Sequence, residues 1–149
     1  MSPQILKSKV SWLFSAKTAV RSPKKVMIID DEPDIVTIME LALKNNGYSV
    51  RGFTESKEAV KEFMNNSEEY ALVISDIKMP IMSGFELARK IKETNPNIPL
   101  VFMTAFEISK AEFSSLFPSM PVSDLVTKPF TNTLLITMVK KYVGVTETQ

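Results

Sequence analysis

Short apolar runs alternate with amphipathic stretches from residue 26 almost to the end of the chain. Val26-Met27-Ile28-Ile29 contains no polar residue and reads as a buried strand. Pro33 stands where a helix tolerates proline, in its first turn. Ile35, Ile38, Met39, Ala42 and Leu43 then recur at helical spacing, and Asn46-Gly47 closes that helix. Tyr48–Phe53 alternates as a second strand. Residues 55–66 form a second helix with Ala59, Val60 and Phe63 inward, and Ala71–Ser75 is a third strand. A third helix covers 84–94, with Phe85, Leu87, Ala88 and Ile91 on its apolar side. Pro96 and Pro99 bracket the turn into a fourth strand, Leu100–Met103. Ser109 and Glu112 have the spacing of a capping box, opening a fourth helix that Pro118 stops. Val122–Thr127 is the fifth strand. The last helix covers 131–142, with Leu134, Leu135, Met138, Val139 and Tyr142 recurring along it.

Five strands alternating with five helices predict an α/β fold, a parallel sheet covered on both faces. Right-handed crossovers leave few topologies, and a doubly wound sheet of order 2-1-3-4-5 is the expected one. Such sheets bind ligands beyond the carboxyl ends of their strands, where the strand order reverses. Strand 1 ends in Asp30-Asp31-Glu32, strand 3 in Asp76, strand 4 in Thr104 and strand 5 in Lys128. The predicted order makes all four ends neighbours. Alone, each has a plain reading: a helix cap, a turn, another cap, a surface lysine before proline. Together they place three aspartates, a hydroxyl and an ammonium in one cleft.

Composition narrows what that cleft can do. The 149 residues include neither cysteine nor histidine. Disulfides, zinc ribbons, thiol nucleophiles, serine–histidine triads and an internal phosphohistidine donor are therefore excluded. Four glycines, none in a GxGxxG or GxxxxGK[ST] run, leave no usual nucleotide loop. No apolar run is long enough to span a membrane. The net charge of +1 conceals an asymmetry, +6 over residues 1–25 and −5 over the remainder. Residues 1–24 read as a basic N-terminal extension outside the core, residues 25–143 as the domain, and 144–149 as a C-terminal tail. In the extension, Leu6, Val10, Leu13, Phe14 and Val20 share a helical arc that Lys9 and Lys17 interrupt. The six cations of residues 1–25, with no acid among them and Trp12 in their midst, suit contact with an anionic membrane surface or an acidic partner.

Carboxylates held ~4–6 Å apart repel by a few kcal/mol per pair at an effective dielectric of ~20. With only oxygen ligands on offer, a hard cation answers that repulsion, and Mg²⁺ suits carboxylates, water and phosphate oxygens. A carboxylate beside Mg²⁺ can attack phosphorus and form an aspartyl phosphate. Lys128 can pair with the phosphoryl charge, and Thr104 can donate a hydrogen bond to it.

The segments VMIIDDEPD (26–34), LVISDIKMPIMSGFEL (72–87), LVFMTA (100–105) and VTKPF (126–130) resemble the receiver domain of two-component response regulators. The resemblance covers residue 25 to about residue 143 and implies a flavodoxin-like, chemotaxis-regulator-like fold. It implies that Asp76 is the phosphoacceptor and that Asp30 and Asp31 help hold Mg²⁺. The backbone carbonyl of Lys78 would complete the metal ligands. Thr104 would be the switch hydroxyl, Lys128 the phosphate-pairing lysine, and Lys128–Pro129 a cis peptide. Expected partners are a sensor histidine kinase or a histidine phosphotransfer protein, and a downstream protein target that the residues do not name. About six residues follow the last helix, so no DNA-binding output domain is expected, and a cytoplasmic location is. The expected role is signalling, with self-phosphorylation and self-dephosphorylation as its only chemistry.

Two departures concern the output. The family usually has Tyr or Phe three residues before the lysine, where this chain has Leu125. The usual Gly-Ala before strand 5 is replaced by Phe117-Pro118-Ser119-Met120-Pro121. A leucine cannot exchange between buried and exposed rotamers as a flat ring does. The signal is therefore expected to be read at residues 105–121. Two other readings remain: a degenerate receiver acting as an interaction module, and an aspartate-based Mg²⁺-dependent phosphohydrolase. The hydrolases usually need Asp-x-Asp, whereas strand 1 here ends in Asp30-x-Glu32.

Overall fold

The computed structural model describes residues 24–120 and 122–145. The predicted extension therefore lies outside the described residues except for Lys24, as do Pro121 and the tail beyond 145. Five parallel strands, β1 (Lys25–Ile29), β2 (Val50–Phe53), β3 (Tyr70–Asp76), β4 (Leu100–Thr104) and β5 (Asp124–Thr127), form one sheet of order β2-β1-β3-β4-β5. The helices are α1 (Pro33–Asn45), α2 (Ser56–Asn66), α3 (Gly84–Thr94), α4 (Lys110–Leu116) and α5 (Asn132–Val143). Both the α/β class and the predicted strand order hold.

The strand sequences explain the two layers. Alternate side chains of a strand point to opposite faces. Met27 and Ile29 of β1, with Leu100 and Phe102 of β4, pack beneath α2, α3 and α4. Val26, Ile28, Val101 and Met103 pack beneath α1 and α5. Both faces are covered, so the strands read as unbroken apolar runs rather than as alternation.

Element ends differ from the sequence reading for identifiable reasons. The second strand begins at Val50, not at Tyr48. Gly47 takes φ 84° just past α1, and the Tyr48 N–H donates back to the Leu43 carbonyl, closing the helix in a Schellman arrangement. Tyr48 is thus a cap residue whose ring enters the core and whose hydroxyl donates to the Gly144 carbonyl at 2.7 Å. β3 runs one residue further at each end than expected, β4 gains Thr104, and β5 starts two residues late, at Asp124. On α1, Val36 is buried and Ile38 is 54% exposed, and on α5, Leu134 is 45% exposed. Each of these helices touches the sheet along one narrow stripe, so an apolar residue one step aside faces solvent.

A half-buried carboxylate ties β2, α2 and β3 together. Glu62 accepts hydrogen bonds from the Tyr70 hydroxyl (2.6 Å) and Asn66 Nδ2 (2.9 Å), and pairs with Arg51 at 3.1 Å. Burial alone would raise its pKa. The Tyr70 and Asn66 bonds and the Arg51 charge outweigh burial and hold it below the ordinary glutamate value. The stabilisation from a carboxyl so depressed is complete above its unfolded pKa and is lost as the pH falls through the folded one. Gly84 opens α3 against the end of β3, where a Cβ would lie 2.2 Å from the Asp76 carbonyl oxygen and 2.8 Å from Ile77 Cα. Its N–H donates to the Ile77 carbonyl at 2.7 Å.

Two outcomes are expected. Gly84→Ala forces the backbone at Asp76 and Ile77 to shift, and urea unfolding should show a loss of about 1–3 kcal/mol. Glu62→Gln should cost about 1–2 kcal/mol at neutral pH. It should also flatten the fall of stability with acid below the ordinary glutamate pKa of 4.5, read from denaturation curves between neutral and acid pH.

Candidate functional site

Strand register assembles the cleft. Ile29 of β1 pairs with Ser75 of β3, so Asp30 and Asp76 emerge side by side at the carboxyl edge. Thr104 of β4 pairs with Thr127 of β5, so Lys128 emerges one residue beyond it. The Lys128 N–H donates to the Thr104 carbonyl at 2.7 Å, and Lys128–Pro129 is cis, as expected. Asp76 is held from the other side, where the Ile77 N–H lies 3.0 Å from its Oδ1.

Asp30 is fully buried, and its two oxygens do different work. Oδ1 accepts the Glu32 N–H at 3.0 Å, which fixes the turn into α1. Oδ2 lies 2.5 Å from Lys128 Nζ, which is also 3.4 Å from Asp76 Oδ2. Lysine 128 thus bridges two aspartates rather than standing free for an incoming anion. Asp31 is exposed at the mouth. One carboxylate oxygen from each of Asp30, Asp31 and Asp76 lies within 4.8 Å of the others. The three predicted aspartates are therefore together, with Lys128 among them. Thr104 and Lys78 line the same cavity, of about 850 Å³, as Asp31, Asp76 and Lys128.

Electrostatics follow from this crowding. Burial raises the Asp76 carboxyl above its ordinary value. The Asp30 charge adds to the rise, and Lys128 only partly offsets it. For Lys128, burial would lower the pKa. The hydrogen bond and charge of Asp30, then the charge of Asp76, outweigh it and raise the ammonium's pKa. The donor set is all oxygen, confined and net anionic, which fits a small hard dication. Such an ion at Asp30, Asp31 and Asp76 would relieve the repulsion that Lys128 leaves.

Two features escaped the sequence reading. Gly84 is part of a recognisable segment, yet only the structure shows that its missing side chain makes room for the Asp76 backbone. The Thr104 hydroxyl is already engaged: its Oγ1 accepts the Phe106 N–H at 3.1 Å. No pattern of residue types announces that bond. Of the segment 105–121, Phe113 and Met120 are core, whereas Phe106, Leu116 and Phe117 are exposed.

The profile of a family described as the response regulator receiver domain matches residues 26–140. Response regulator SaeR of Staphylococcus epidermidis is 33% identical over 124 residues, covering 77% of this chain and 52% of that protein. The chain spans about half the length of the curated relatives it matches. Among solved structures, a response regulator receiver domain protein from Clostridium thermocellum superposes with a TM-score of 0.72. It is 26% identical, and the match covers 80% of this chain and 94% of that one. Response regulator TrrA from Thermotoga maritima, solved in complex with Mg(2+)-BeF, gives a TM-score of 0.67 at 31% identity. That match covers 80% of this chain and 98% of that one. The family profile runs from the first buried residue of β1 to within three residues of the end of α5, and the chain belongs to the response regulator receiver domain family.

Proposed function

We propose that Asp76 accepts a phosphoryl group from a phosphohistidine on a partner protein and that the chain signals through the resulting change of shape. One observation carries this reading: three aspartate carboxylates within 4.8 Å of one another, two of them bridged by Lys128. The match to a receiver solved in complex with Mg(2+)-BeF supports it.

In the step itself, an Asp76 carboxylate oxygen attacks phosphorus, the P–N bond to the partner's imidazole breaks, and the imidazole leaves with the electron pair. Burial and the Asp30 charge raise the Asp76 carboxyl in the metal-free site, and a bound dication would favour the ionised form that attacks. Asp30 holds Lys128 in place, so an ammonium stands beside the developing phosphoryl charge. Thr104, which lines the cavity, offers a hydroxyl to a phosphoryl oxygen. Asp30, Asp31 and Asp76, with the Lys78 carbonyl, would hold Mg²⁺. When bound, it neutralises the carboxylates and the phosphoryl oxygens together. The donor is a histidine kinase or phosphotransfer protein, since the chain has no histidine. This reading places the protein in the cytoplasm and its chemistry in one phosphorylation and its hydrolysis. Among the described residues no helix is long and apolar enough to cross a membrane.

The test is acetyl phosphate with Mg²⁺, read by intact mass: one phosphoryl mass is expected, and none for Asp76→Asn or in EDTA. Undiminished labelling of Asp76→Asn overturns the assignment. The same variant has a second signature. A carboxyl whose folded pKa is raised costs stability when ionised, so metal-free Asp76→Asn should melt at a higher temperature than the native chain at pH 7. The phosphorylated state should last minutes to hours. Lys78 and Phe106 line the cavity beside Asp76, and neither offers a carboxylate or amide to orient water. Mass spectra taken over time after removal of the phosphodonor give its lifetime.

A further inference from the structure

Phe106 sits in the loop between β4 and α4 and is 71% exposed, although it borders the cavity at the cleft, whose lining away from the charged groups is apolar. That cavity, about 850 Å³, is lined by Phe85 of α3, Phe113 of α4 and the loops at the strand ends. Its walls include Ile77, Met79, Ile108 and Phe117, and also Asp76 and Thr104. The rings of Phe85, Phe113 and Phe117 are already in mutual contact, with centroids 5.0–6.1 Å apart and tilted planes. A further ring placed there finds the edge and offset partners that aromatics prefer. A phenyl group entering it would remove ~150–250 Å² from water.

The backbone of Phe106 is tied to the end of β4. Its N–H donates to Thr104 Oγ1 at 3.1 Å. Thr104 is 3% exposed, and its hydroxyl proton has no acceptor among the described residues. A threonine side chain moves between discrete staggered rotamers, not continuously. A rotation that carries Oγ1 to a new partner therefore takes it from the Phe106 amide in one step.

Building on the phosphoacceptor reading above, we propose that Phe106 is the moving part of the switch. When the Thr104 hydroxyl turns to an anion on Asp76, the freed loop carries the Phe106 ring from solvent into the cavity lined by Phe85 and Phe113. The two arrangements are discrete: amide bonded and ring exposed, or amide released and ring packed among phenylalanines. Bistability of that kind is what a switch requires. Half-buried Leu125, at the edge of the same apolar layer, need not move. The cavity's occupant is thus a residue of this chain, brought there by the state of Asp76.

Trp12 is the sole tryptophan, so a chain carrying Trp12→Phe and Phe106→Trp reports on position 106 alone. Its emission and its acrylamide quenching are read in Mg²⁺ before and after adding beryllofluoride, with fluorine NMR recording fluoride bound to the protein. The expected result is a shift of emission to shorter wavelength with a severalfold fall in quenching. The shift should be abolished when Thr104→Val is added, at beryllofluoride levels that still saturate by NMR. A second reading uses the native side chains: hydrogen exchange at the Phe106 amide should accelerate with beryllofluoride. Bound fluoride with unmoved emission and unchanged exchange overturns this proposal alone, and so does a shift that survives Thr104→Val. Absence of bound fluoride overturns the phosphoacceptor reading, and this proposal with it.

Discussion

Everything at the carboxyl edge of the sheet answers one constraint, the mutual repulsion of Asp30, Asp31 and Asp76. Parallel pairing of β1 with β3 forces two of these carboxylates together, and the chain cannot separate them without changing register. Lys128 is the internal answer, bridging Asp30 and Asp76 at 2.5 and 3.4 Å. A single ammonium among three carboxylates leaves the cluster anionic. The remainder is left to whatever cation the cleft takes up, so the site is incomplete by construction and depends on its surroundings for charge balance.

Around this cluster the fold fixes the buried aspartates and leaves apolar side chains exposed on the loop opposite. Asp30 is locked by the Glu32 amide and Lys128, and Asp76 by the Ile77 amide and the close approach of Gly84. Across the cleft the loop after β4 is anchored by the bond from the Phe106 amide to Thr104. Phe106 is exposed beside the cavity at the cleft, and α4 is a short helix that ends before Pro118. Ile81, in the loop after β3, adopts φ 69°, a conformation that β-branched residues rarely take. The strained residue and the exposed ring thus lie on the two loops that flank the phosphoacceptor candidate, not in the sheet.

Much of this was legible in the residues because it depends on periodicity and on strand ends. Unbroken apolar strands, amphipathic helices and a strand order that the family resemblance also implies fix which side chains share an edge, and bring Asp30, Asp31, Asp76, Thr104 and Lys128 to it. The misreadings have local causes. Tyr48 alternates like a strand residue but is taken by the cap of α1. Ile38 and Leu134 are apolar and near the right phase, yet each lies beside its helix's buried stripe. The bond from the Phe106 amide to Thr104, and the space that Gly84 leaves for Asp76, are properties of backbone placement. Residue identity carries no trace of either.

The Lys128–Asp30 contact joins positions 98 residues apart, the first strand to the residue after the last. Loop closure on that scale is costly, and contacts of such separation slow folding. In order of synthesis β1 and β3 precede β5, so both carboxylates are in the chain before their ammonium is. Competence of the cleft arrives with the final strand. A chain that stopped before that strand would lack the ammonium that bridges Asp30 and Asp76, so charge balance at the cleft depends on the whole domain having been made.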